Sequence, residues 1–236
     1  RGCAGAMIPL VLLPGMMCDA RLFAPQIAAL SGQRAVHTAP IGGADAVPEL
    51  AQQVLAHAPP RFALAGLSMG GIVAMEMIRQ APDRITRLAL LDTNPLAEPP
   101  ERATQREPQI AAVKAGNLRS VMRDEMKPNY LADGPRRGAV LDLCMTMAET
   151  LGPEVFVAQS RALAARPDQT ETLRNVRVPT LILCGAEDRL CPPARHETMR
   201  DLVPGARLSV IDGAGHLPVL EQPDPTNRQI GRWLDR

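Results

Sequence analysis

Three side chains in this 236-residue sequence have the types needed to turn an alcohol into a nucleophile. Ser68 sits in Gly66-Leu67-Ser68-Met69-Gly70, Asp188 in Gly185-Ala186-Glu187-Asp188, and His216 in Gly213-Ala214-Gly215-His216-Leu217-Pro218. A serine hydroxyl is a poor nucleophile at neutral pH, so it needs a base to take its proton and an acid group to hold that base in one tautomer. Three other histidines, His37, His57 and His196, are expected inside a strand, at a helix end and within a helix, positions that suit structural or surface roles. His216 follows the last predicted strand on a loop whose glycines leave its backbone free to approach a sheet edge. For the acid, Asp188 lies four residues past a buried run, Glu187 beside it points elsewhere on the same turn, and Asp92, at the end of another predicted strand, is the competitor.

These residues need elements to hold them. Phe62 to Ala65 reads as a strand buried on both faces, and from Met69 the apolar positions Ile72, Val73, Met75, Met77 and Ile78 fit a helix. A strand that turns into a helix within one residue presses the positions two before and two after the apex together. Only glycine fits well at both, and the apex side chain is left projecting from the sheet edge. The N–H of Met69 and the start of that helix then lie beside any negative charge formed at Ser68. The plainer alternative is a glycine-rich turn with serine as an ordinary cap.

Further strands are expected over Ile8–Leu13, Ala35–Ala39, Ile85–Leu91, Thr180–Cys184 and Leu208–Ile211, alternating with helices over Phe23–Leu30, Val47–His57, Pro193–Leu202 and Thr226–Leu234. Six strands in this rhythm predict an α/β fold, a mainly parallel sheet with helices on both faces. Ligands of such sheets bind beyond the carboxyl ends of the strands. Between 95 and 174 the rhythm changes to helical segments near 102–115, 117–126, 135–149 and 153–165, which reads as a helical cap inserted into a core made of 7–94 and 175–236.

Composition excludes several classes. A formal charge of +1 gives no reason to expect nucleic acid or an anionic membrane, and the scattered arginines, with only Lys114 and Lys127 as lysines, read as a solvated surface. The five cysteines lack C-x-x-C spacing, which points to free thiols and a cytoplasmic setting. No run is long enough to span a membrane and no signal-peptide core opens the chain; Arg1 to Ala6 read unlike the start of a fold, with Met7 the expected natural start. There is no H-E-x-x-H, no Walker loop and no complete dinucleotide fingerprint, so no metal and no cofactor is expected. Methionines near the proposed centre and in the cap, Met17, Met145 and Met147, are expected to give a soft apolar substrate pocket.

The blocks Gly66 to Gly71, Gly185-Ala-Glu-Asp-Arg-Leu-Cys-Pro192 and Gly213-Ala-Gly-His-Leu-Pro-Val-Leu-Glu-Gln-Pro223 together resemble those around nucleophile, acid and base in the α/β-hydrolase superfamily, and the order Ser68, Asp188, His216 matches its order. The resemblance covers nearly the whole chain. It implies Asp188 as the acid in preference to Asp92, the first two strands of the family sheet absent, and the helical insert as the family's cap domain. It further implies that the residue after a His-Gly pair donates the second oxyanion N–H. Here that pair is Pro14-Gly15, so the donor is Met16 beside Met69, and the loop lacks a side chain that helps to pin it. The activity implied is hydrolysis of small or medium carboxylic esters through an acyl-enzyme on Ser68. The same residues would also serve a C–C hydrolase, thioesterase, lactonase or acyltransferase, and a catalytically silent binding protein could keep the fold. The expected partner is a small-molecule ester; oligomeric state is not legible.

Overall fold

The computed structural model describes residues 7–235, so the expectation about Arg1 to Ala6 lies outside the described residues. Six strands form one sheet: β1 (Leu10–Leu13), β2 (Val36–Thr38), β3 (Phe62–Leu67), β4 (Ile85–Leu91), β5 (Thr180–Gly185) and β6 (Arg207–Ile211). Their order is β2-β1-β3-β4-β5-β6, with every neighbouring pair parallel. The continuous apolar sequences of β1, β3 and β5 follow from this placement, because each is buried along its whole length. Edge strands β2 and β6 are half-exposed and interrupt the apolar run, as β4 does at its half-buried Thr86 and Arg87.

Alternation along each strand divides the core into two layers. Val11, Leu13, Leu64, Leu88, Leu90 and Ile182 face helices Val47–His57 and Met69–Gln80. Leu10, Leu12, Ala63, Ala65, Leu181 and Leu183 face the other way, where Leu30, Ile230, Trp233 and Leu234 close the layer. Each fully buried leucine contributes about 2 kcal/mol relative to exposure.

The last helix, Pro223–Leu234, starts three residues before the predicted Thr226, because prolines are tolerated in a first helical turn, where the N–H has no partner. A short helix, Pro218–Glu221, follows His216 and was not expected. The stretch 95–174 is helical, with Pro100–Ala112 and a long element Arg137–Ala164 as its main pieces. That long element breaks at Gly152, whose φ of 83° is followed by Pro153, so it is two helices end to end, as the sequence predicts. Among the described residues no helix is long and apolar enough to cross a membrane.

Candidate active site

Ser68 ends β3 and opens helix Met69–Gln80 with φ 54° and ψ −115°, a strained backbone for a residue bearing a Cβ. Its surroundings over-determine that geometry. The Ser68 N–H donates to Leu91 O at 2.9 Å, and its carbonyl accepts from Gly71 N–H at 2.9 Å and from Thr93 Oγ1 at 2.6 Å. A Cβ on Gly66 would lie 2.2 Å from the Gly70 carbonyl oxygen, and one on Gly70 would lie 2.2 Å from that of Leu13. Glycine is therefore required at both, and the second contact brings the loop after β1 against the start of the helix.

The three predicted residues meet at this point. His216 Nε2 is 2.9 Å from Ser68 Oγ, and its Nδ1 is 2.8 Å from Asp188 Oδ2. With Asp188 ionised, Nδ1 carries the proton and Nε2 is left free to accept from the serine. Asp188 is 3% exposed; its Oδ1 accepts from the N–H groups of Leu190 and Cys191 at 2.9 and 3.0 Å. Burial pushes this carboxyl up, but the neighbouring His216 and the two backbone donors outweigh it and hold it below the usual carboxylate value.

Asp92 is placed differently. It is fully buried at φ 45°, one carboxyl oxygen accepting from Gly185 N–H at 2.9 Å and the other without a partner. Burial, and after it the charge of Asp188, pushes this carboxyl well above the usual range. Of the other histidines, His37 and His57 are exposed.

His196 is fully buried. Its Nε2 accepts from Thr93 N–H at 3.1 Å and its Nδ1 pairs with Pro192 O at 3.2 Å. Burial lowers its pKa to about 4. Because the folded value lies below the unfolded one of about 6.5, the unfolded chain binds the extra proton between them. The stability tied to neutral His196 is thus complete above pH 6.5 and lost as pH falls toward 4, by about 3 kcal/mol in all. Urea unfolding at pH 7 and pH 4.5 is expected to show a smaller acid loss in His196→Gln than in the native chain; equal losses would contradict the assignment.

Residues that sequence reasoning missed hold the histidine loop. Glu221, 7% exposed, accepts from Gly215 N–H at 3.0 Å and Leu217 N–H at 2.9 Å, the two residues flanking His216, and from Ala132 N–H at 2.7 Å. Burial, the largest influence, leaves its carboxyl above the usual value despite these donors. Tyr130 O accepts from His216 N–H at 2.7 Å, and the Tyr130 ring meets the imidazole edge-on at 5.3 Å between centroids. The sequence signal was present for one of them: a glutamate two residues after Val219 in an otherwise apolar turn must find donors if it is buried.

Ser68 and His216 stand in a cavity of about 640 Å³ that also exposes Met16 and Met69. The backbone N–H groups of both methionines donate to no protein acceptor among the described residues, which leaves them available near Ser68. The methionines expected to line the pocket do not line it. Met17 and Met147 are fully buried in opposite core layers, and Met145 packs against the first of them. The cavity wall is mixed instead: Met16, Met69, Met126, Ile72 and Leu163 line it beside Arg102, Arg106, Arg166 and Arg195 and, facing these, Glu98, Glu101 and Glu125. Glu98, whose side chain is 2% exposed, pairs with both Arg106 and Arg166. A larger cavity of about 840 Å³ lies between 42–45 and 153–161, and none of Ser68, Asp188 and His216 lines it.

Among the described residues the metal-capable cluster is Asp188, Cys191 and His216, with donor atoms within 4.8 Å of one another. Two of its three members are already hydrogen-bonded to each other.

Known proteins share this architecture. Two pimeloyl-acyl-carrier-protein methyl ester esterases are similar to the chain. That of Aromatoleum aromaticum is 30% identical over 72% of this chain and 73% of its own. That of Edwardsiella ictaluri is 26% identical over 99% and 95%. Of solved structures, a thermophilic esterase from Thermogutta terrifontis superposes with a TM-score of 0.89 at 28% identity, covering 98% of this chain and 90% of that one. The enol-lactonase from Burkholderia xenovorans LB400 shares the fold, with a TM-score of 0.87 at 24% identity over 100% and 94%. The alpha/beta hydrolase family matches residues 10–229, and the chain belongs to it.

Proposed function

We propose that the chain hydrolyses carboxylic esters through an acyl-enzyme on Ser68, beneath a cap formed by 95–174. The observation that carries this reading is the unbroken relay from Ser68 Oγ through both nitrogens of His216 to Asp188, opening into the 640 Å³ cavity. His216 takes the Ser68 proton as Oγ attacks the ester carbonyl, and the ionised Asp188 stabilises the imidazolium that forms. The carbonyl oxygen becomes an anion facing the N–H groups of Met16 and Met69; losing one such donor costs about 3 to 4 kcal/mol of barrier. The imidazolium returns its proton to the departing alcohol. Water then repeats the sequence on the acyl group.

The arginines of this mixed wall narrow the substrate. With Glu98 engaged by two arginines, Arg102 and Arg195 are the guanidinium groups that face the cavity without an ion-pair partner among the described residues. They suit an ester whose acyl chain ends in an anionic or strongly polar group. An ester of a small alcohol with a polar acyl portion, of which the methyl ester named for the curated relatives is one example, meets that description. The four described cysteines are free and buried, which supports a reducing, cytoplasmic setting.

The test is a panel of methyl esters matched in length, fatty acyl against dicarboxylic half-esters. A charge-assisted contact contributes about 1.5 to 3 kcal/mol, so the half-esters should show at least a tenfold higher kcat/KM, and Arg195→Ala should erase most of that difference. Equal rates for both series would overturn the substrate reading, and no turnover of either would overturn the hydrolase reading.

A further inference from the structure

We infer that Gln159, on the helical insertion, is the positioning residue of the oxyanion loop, taking the place of the side chain that the loop itself lacks. The inference rests on the proposed role of the Met16 N–H and deepens it.

Gln159 lies on the element Arg137–Ala164 and is 1% exposed. Its Oε1 accepts from the N–H of Met17 at 2.8 Å, and its Nε2 donates to the carbonyl of Ile41 at 3.0 Å. Both partners are backbone groups of fixed polarity, so the orientation of the amide is determined: reversing it would set donor against donor and acceptor against acceptor. Met17 has a φ of 55°, in the left-handed region that a residue with a Cβ rarely adopts, and such a conformation persists only where its neighbours hold it. The bond from Gln159 fixes the peptide plane joining Met16 to Met17, which sets how Met16 lies in the turn. The Met16 N–H is in the adjacent plane; Met16 lines the cavity with Ser68, and a Cβ on Gly15 would lie 3.5 Å from that of Ser68.

Within the loop the Cys18 N–H closes a turn on the Gly15 carbonyl at 3.1 Å, but no side chain of 14–17 can accept from the Met17 N–H. Pro14 has no donor or acceptor in its side chain, Gly15 has no side chain, and Met16 and Met17 have only thioethers. The tie therefore comes from a segment 142 residues away. One consequence is that the docked insertion adds a second tie to the turn that carries the proposed oxyanion donor. The same amide also grips the loop after β2 through Ile41, so three parts of the chain meet on one side chain.

The experiment compares Gln159→Met, which keeps the volume and loses both polar ends, with Gln159→Glu, which keeps an acceptor for Met17 N–H and, protonated in this buried site, a donor for the Ile41 carbonyl. Rates are normalised to the folded fraction from thermal melts. Gln159→Met is expected to lower kcat by about 30- to 300-fold, approaching the loss of one oxyanion donor, with KM within about twofold and the acid limb of the pH profile unmoved. The rate of fluorophosphonate labelling should fall in parallel, since that reaction develops the same oxyanion. Gln159→Glu should stay within about fivefold of the native chain.

Native kcat and labelling in folded Gln159→Met would overturn the inference, as would a folded Gln159→Glu impaired a hundredfold. Should Gln159→Met fail to fold, Gln159→Glu decides by the same limits. If the native chain itself is not labelled, the hydrolase reading fails; if it is labelled and Gln159→Met is labelled equally fast, only the role of Gln159 fails.

Discussion

Ester turnover by Ser68→Ala is expected to fall by on the order of 10⁵-fold or more, with the fold unchanged. The reason lies in which atoms the elbow uses. Every hydrogen bond that holds residue 68 in place goes through its backbone, to Leu91 O and from Gly71, Ile72 and Thr93, so alanine keeps them all. Only Oγ is lost, and with it the bond to His216 Nε2. What remains is catalysis by the oxyanion donors and binding alone, typically 10³- to 10⁴-fold over water. Assays with p-nitrophenyl acetate beside a thermal melt check both halves; substantial turnover by a folded Ser68→Ala would remove the nucleophile from the account.

Asp188→Asn and Asp92→Asn should behave oppositely, although each replaces a buried carboxyl by its amide. At 188 the side chain accepts the Nδ1 proton of His216 and two backbone N–H bonds. An amide there can present N–H to Nδ1, which favours the tautomer with its proton on Nε2, facing Ser68. A loss of about 10⁴-fold in kcat follows. At 92 burial and the charge of Asp188 push the carboxyl well above the usual range, and its bonded oxygen accepts only from Gly185 N–H. Asparagine keeps that acceptor, and the residue does not touch His216, so kcat should stay within about tenfold. Parallel kinetics on the two variants decide between the carboxylates, and a larger loss at 92 would reverse the assignment.

The elbow was legible because its requirement is local: two glycines and one serine within five residues describe a steric constraint that the Cβ distances at Gly66 and Gly70 express directly. The central strands were legible because a strand buried on both faces has no polar position to disguise it. Gln159 was not, since its bond to Met17 reaches across 142 residues and no local pattern encodes such a distance; of the Glu221 bonds, those to Gly215 and Leu217 are local and only the one to Ala132 is remote, at 89 residues. The pocket was misread for a related reason. Composition counts methionines without saying which layer they enter, and Met17 and Met147 went to the core. Arg102, Arg106, Arg166 and Arg195, which read as scattered surface charge along the chain, converge on one cavity once the insertion folds over the sheet.

The most direct measurement is peptide mapping by mass spectrometry after the native chain is treated with a fluorophosphonate. The account predicts a single stoichiometric adduct on the peptide containing Ser68, formed slowly or not at all in His216→Ala. Folded protein carrying no adduct, or one on a different serine, would contradict it.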